Sequence, residues 1–268
     1  MLKTIMYSPF YILYLAMIVS SLTYTIGALF YGSPIPIYSF KRLGRKMITD
    51  AIYVAVWINI FDFVINLINQ IQSILGANWN AFYLDMGFLQ LQLIYNINGL
   101  KLLYAIISAV ISYLRVPSFL ANFIVPILDY ISFLTDVLLI LIFYTQLGIF
   151  IQNYYIILIA IGLLLMSFPF RMGRGIGSLL ISSAIVFYIG YPLLPILISS
   201  SGGSQYQNIL LQNLSLAVAE ISGDIPLLIY AYIIVPIVYI SILAGFSIVL
   251  ENFLGGNIGK LPFPLEIG

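Results

Sequence analysis

The chain contains no cysteine and no histidine. Disulfides, thiol chemistry, haem ligation through either residue and the usual zinc sites are thereby excluded. Charge is scarce too: 7% of the 268 residues are charged, against about a quarter in soluble domains. Ten Lys and Arg nearly balance nine Asp and Glu, for a formal net charge of +1. No global field therefore draws the chain toward nucleic acid or an acidic partner. The nine carboxylates are the remaining ordinary general bases. No His-based zinc motif, nucleophile elbow or P-loop occurs. The sequence reads as a non-enzyme, with no cofactor and no metal.

What is present is apolar. Hydrophobic residues make up 62% of the chain, and the mean hydropathy is +1.10. Such a chain takes lipid as its solvent. The expected fold is all-α: a polytopic transmembrane helix bundle of about seven spans, each needing about 20 residues. The spans read as 9–31, 51–71, 88–114, 119–152, 154–170, 176–198 and 225–250, in a single integral membrane domain over 1–268. The first is longer than a signal-peptide core and no small-residue cleavage pattern follows, so it reads as a retained helix. The fourth, at 34 residues, projects, tilts strongly or breaks near Pro126 or Gly148. A short surface helix is expected at 208–220, and an irregular tail from Asn252 onward. No fixed-period repeat and no inverted repeat between halves is visible.

Orientation follows from the basic residues. With the N-terminus outside and the C-terminus cytoplasmic, Lys41, Arg42, Arg45, Lys46, Arg115, Arg171, Arg174 and Lys260 lie inside. Only Lys3 lies outside, and Lys101 falls within a span. Cytoplasmic loops carry the excess of Lys and Arg, so this arrangement is the favoured one. The stretch Lys41-Arg42-Leu43-Gly44-Arg45-Lys46 reads as a topology signal on a cytoplasmic loop. With Arg171 and Arg174, it is also a candidate contact for phosphates or a partner.

The second span is unusually polar. Asn59, Asp62, Asn66, Asn69 and Ser73 recur at three- and four-residue steps, on one helical face. A central Asp costs about 2.5–3.5 kcal/mol on insertion scales, so this face meets protein or water. Two readings stand: interhelical hydrogen bonds that hold the bundle, or the lining of a hydrated path. Asp62 and Lys101 both fall near mid-bilayer, and Asp129 and Asp136 lie seven apart on one face. One of the three aspartates is expected to pair with Lys101, because burying either charge alone is costly. A structural pair and a proton or ion relay both fit. Gly173 with Gly177, and Ser178 with Ser182, are small-residue pairs that permit close helix approach.

Between two membrane-length segments stands Pro169-Phe170-Arg171-Met172-Gly173-Arg174-Gly175-Ile176-Gly177, continuing through Tyr188-Ile189-Gly190-Tyr191-Pro192-Leu193. Over these residues the chain resembles the polytopic membrane subunit of archaeal DNA-import systems, the CedA family. That family is similar to the TrbL-type membrane subunit of type IV secretion. The Ile- and Tyr-rich, cysteine-free composition is compatible with a thermophilic archaeon. The resemblance implies a channel or platform subunit of a DNA-import apparatus in the cell membrane. It further implies small two-span pilin-like membrane proteins and a motor ATPase in trans as partners. Single-stranded DNA would be the cargo and an oligomer or hetero-complex the working form. The residues alone also fit a polytopic solute or ion transporter using the mid-membrane Asp and Lys, or a scaffold subunit with no path of its own.

Overall fold

The computed structural model describes residues 9–34, 38–114, 125–171, 173–203 and 225–255. Among the described residues every regular element is helical. Lys3, Arg115, Lys260, the expected surface helix at 208–220, the tail beyond 255 and the side chain of Arg171 lie outside the description.

Helix α1, Pro9–Gly32, opens on a proline, whose missing N–H costs nothing in a first turn. It ends before Ser33-Pro34. Helix α2 is Tyr38–Asn59 and α3 is Phe61–Ile74. The chain bends by 61° between them. No proline or glycine stands at this bend. Instead, Asn59 donates from its side-chain Nδ2 to the carbonyl of Ala55 at 2.7 Å, a side chain competing with the backbone ladder one residue before the break. Gly76 follows α3 at φ +68, the left-handed position that closes a helix. Asn78 caps α4, Trp79–Leu114, by accepting the Asn80 N–H on its Oδ1 at 2.8 Å.

Helix α5, Val125–Ser167, is continuous over 43 residues. The sequence predicts two spans here, with a break at Gln152-Asn153, and the structure corrects this. Pro126 sits in the first turn, where its missing N–H is tolerated. Tyr144, Gly148, Ile151, Tyr155 and Ile159 then keep one buried face in phase straight through the expected break. A turn, Pro169–Arg171, leads to α6, Arg174–Gly190. Phe170 takes a left-handed conformation in it, at φ 61. After Tyr191–Leu193 come α7, Leu194–Ile198, and a π-helical turn, Ser199–Gly203. A second π-helical turn, Tyr230–Ile234, opens α8, Val235–Leu254.

By length and hydropathy five helical stretches suit a bilayer crossing: Pro9–Gly32, Trp79–Tyr113, Val125–Ser167, Arg174–Gly203 and Ile225–Leu254. The bent pair α2–α3 makes up to six. The seven-span expectation loses a span because α5 is one helix. Two other boundaries move as well. The basic stretch 41–46 lies on the first turns of α2 rather than in a loop, and α4 begins at Trp79 rather than near Phe88.

The chain divides into two compact units. The first takes residues 1–76, 150–191 and 242–268. Its N-terminal hairpin meets along small residues. Leu13, Ala16, Ser20, Thr23 and Gly27 of α1 are buried, as are Gly44, Met47, Ala51 and Val54 of α2. A Cβ on Gly44 would lie 2.6 Å from the Gly27 carbonyl, so the backbones themselves touch. Ser20 spends its hydroxyl on the Ala51 carbonyl at 2.8 Å. A second close approach joins α5 to α6, where a Cβ on Gly162 would stand 2.7 Å from the Gly177 oxygen. Gly177 thus uses a small residue on α5, and Gly173 lies against Leu165.

The second unit takes 77–149 and 192–241. Gln90 Nε2 donates to Thr145 Oγ1 at 2.8 Å, tying α4 to α5. Tyr232 donates to the Gly203 carbonyl at 2.7 Å. On α5 the buried positions Ile127, Tyr130, Leu134, Val137, Leu141 and Tyr144 recur at helical steps.

Candidate functional site: the basic end of the first unit

The turn after α5 places Arg174 at the start of α6, and its guanidinium is buried, at 5% exposure for the residue. Nη1 donates to Oδ1 of Asp50 on α2, and the two form an ion pair. The guanidinium carbon also stands 5.6 Å from the centre of the Tyr53 ring. One turn of α2 thus supplies both a carboxylate and an aromatic face to one arginine. Nε and Nη2 of Arg174 have no hydrogen-bond partner among the described residues.

The surrounding contacts fasten the same end. Thr23 donates to the Ser167 carbonyl at 2.7 Å. Phe30 and Phe170 lie 6.3 Å apart. Lys41, Arg42, Arg45 and Lys46 are all exposed on α2, and Arg45 stands 5.8 Å over the Tyr31 ring. One end of the unit therefore carries four exposed cations beside a neutralised, buried arginine. Arg174 is corrected on this point: it is engaged by Asp50 inside the unit, and is not a cation presented on the surface. Sequence reading missed Asp50. The signal in the sequence was an acidic residue four positions after the basic run.

The polar face of the second span divides in two. Asn69 accepts the Tyr188 hydroxyl at 3.3 Å, and Gln72 donates to the Tyr188 carbonyl at 3.0 Å. Tyr188 in turn stacks on Tyr155, with ring centres 3.6 Å apart. Here the stripe is interhelical glue, and Gln72, overlooked in the sequence, carries the buried share. Asn59 bonds within its own helix and Ser73 to the Gln70 carbonyl. Asp62 and Asn66 are exposed.

Helix α6 also serves as a ruler. Asp50 meets it at Arg174, while Asn69 and Gln72 meet it at Tyr188. Those contacts are fourteen residues apart on α6, or about 21 Å at 1.5 Å per residue. The bent α2–α3 segment climbs that distance rather than turning back.

Lys101, Asp129 and Asp136 do not form the expected pair. All three are exposed, and none makes an ion pair among the described residues; the same holds for Asp62. The reason is position: each stands on a helix face directed away from the buried one, where no described charged side chain of opposite sign meets it. The buried charge pair of this fold is Asp50–Arg174 instead. No group of three or more acidic, His or Cys side chains that could hold a metal occurs among the described residues.

Long apolar helices joined by glycine contacts, with cations gathered at one end, define a multi-pass α-helical membrane protein. Comparison with known proteins adds the particular family. The sequence model of a family described as DNA import protein CedA1 matches residues 1–74. Over 264 residues the chain is 31% identical to the DNA import protein CedA of Sulfolobus acidocaldarius, covering 98% of this chain and 100% of that protein. The chain belongs to the CedA family. No solved structure matches it.

Proposed function

We propose that this chain is an integral membrane channel or platform subunit of a DNA-import apparatus in an archaeal cell membrane. The observation that carries the reading is the full-length likeness to a protein named for DNA import. The match of the first 74 residues to the family described as DNA import protein CedA1 supports it. The apparatus is of the type IV secretion kind, related to that of the TrbL-type subunit, and the chain performs no catalysis itself. A motor ATPase in trans supplies energy, and small two-span pilin-like proteins share the membrane complex. The N-terminus lies outside, and the basic end of the first unit faces the cytoplasm.

A DNA strand presents closely spaced phosphates and needs basic residues at the mouth of its path. Lys41, Arg42, Arg45 and Lys46 are exposed together at one end and suit that role. Arg171 belongs to the same cytoplasmic set by sequence. The apolar faces of the long helices make poor walls for bare single-stranded DNA, so the path is completed by further subunits in an oligomer or hetero-complex.

Deleting the gene tests the reading. Acquisition of marker DNA from other cells should be abolished while growth is spared. A deletion strain that takes up marker DNA at the parental rate, yet loses uptake of a small solute, would establish the transporter instead.

A further inference from the structure

Helix α4 has two apolar faces, and the described residues bury only one. Phe82, Met86, Leu89, Leu93, Ile97 and Leu100 are buried. On the other side Phe88, Leu91, Tyr95, Asn98, Leu102 and Ala105 are all exposed. Their steps are three, four, three, four and three residues. Leu91, Tyr95 and Leu102 are 66%, 67% and 64% exposed, against 1% for Leu93 between them. Such steps set these residues along one side of the helix, at the spacing by which positions of two paired helices interlock. Asn98 stands in its middle, and its carboxamide makes no hydrogen bond among the described residues. An amide turned toward lipid lacks the partners that water would give it.

We propose that this seam is where two copies of the protein associate, α4 against α4. The occupant follows from membrane geometry. Copies inserted into one bilayer share one orientation, so the two α4 helices of a symmetric pair run parallel. Equal residues then face each other, and Asn98 of one copy meets Asn98 of the next. A carboxamide complements itself, because it carries both a donor and an acceptor. A single Asn at such a seam fixes register and the number of helices. Any other partner would have to present an amide at the same depth, which a second copy does by construction. Ala105 lets the helices draw together one turn beyond Leu102. Lys101 lies on the flank, where a parallel pair keeps the two lysines on opposite sides of the seam. Its stem can run along the apolar edge toward the interface.

This inference names the surface behind the oligomer of the proposed function, and its test does not read DNA. The chain has no cysteine, so single cysteines report cleanly on the full protein in its own membranes. Two differently tagged forms are co-expressed with Leu91→Cys, Tyr95→Cys, Leu102→Cys or the off-seam Leu103→Cys, then oxidised. Disulfide-linked dimers carrying both tags should form several-fold more at the three seam positions than at Leu103. Adding Asn98→Leu to Tyr95→Cys should cut the yield several-fold, and Asn98→Gln should keep most of it. Equal yields at all four positions, products joined only to a different protein, or no effect of Asn98→Leu would overturn the proposal. Marker uptake after gene deletion is scored separately. A seam dimer in a protein dispensable for uptake leaves this inference standing and rejects the import reading.

Discussion

At the scale of single residues, burial separates charges that a sequence treats alike. Arg174 and Asp50 are buried and paired, with side chains 6% and 12% exposed. Removing one partner of such a pair leaves the other uncompensated and costs about 3–5 kcal/mol. Arg174→Met and Asp50→Asn should therefore each lower the melting temperature of the purified protein and its yield from membranes. Lys101→Met should change stability by less than about 0.5 kcal/mol, the usual range at exposed positions. Thermal melts of the three variants in one detergent check both expectations. Equal losses for Lys101→Met and Arg174→Met would place a second buried pair at Lys101.

At the scale of elements, the pair α2–α3 carries a 61° bend inside the first unit. Its contacts to α6 stand about 21 Å apart, most of a hydrocarbon core of about 30 Å. The pair should therefore rise deep into the bilayer from the basic end. Because α5 is one helix that ends at this same basic end, α2–α3 and α4 cannot both cross completely. A cysteine at exposed Tyr38 should react with an impermeant thiol reagent only after permeabilisation of intact cells. Labelling at exposed Leu75 from outside makes the pair the crossing element, and labelling there from the cytoplasm alone makes the pair re-entrant and α4 the crossing helix. The first turns of α2 carry the four exposed cations. Replacing Lys41, Arg42, Arg45 and Lys46 together by Gln should reduce marker import strongly while leaving the labelling pattern at Leu75 unchanged. Parental import by that variant would show that these cations do not meet the DNA or its motor.

At the scale of the whole molecule, the helices are longer than one bilayer requires. Helix α5 has 43 residues and α4 has 36, or about 65 and 54 Å at 1.5 Å each. Tilts of up to about 40° cannot fit such lengths into about 30 Å of hydrocarbon. Apolar surface on these helices thus extends past the lipid and needs protein to cover it. That is the same demand the exposed face of α4 makes in the dimer proposed above. If gene deletion abolishes import, the seam variants that lose the dimer should lose import with it.

The sequence by itself determined that this is an all-helical, multi-pass membrane protein, because apolar runs without charge leave no other solvent for the chain. It located the resemblance at residues 169–193 and the basic asymmetry, both of which are local in the chain. It also marked Gly177 as a helix-contact position and set the stripe through Asn69 on one face, turned to protein or water, since spacing alone puts residues on one face. Tertiary structure decided the rest. Whether α5 breaks depended on a buried face continuing in phase past Gln152, which hydropathy does not register. Which charges pair depended on residues 124 positions apart, Asp50 and Arg174, meeting across a turn. Lys101 was the natural choice from depth in the membrane alone. Depth, however, says nothing about direction around a helix axis, and it is direction that separates a buried charge from one left for a second copy or for water to meet.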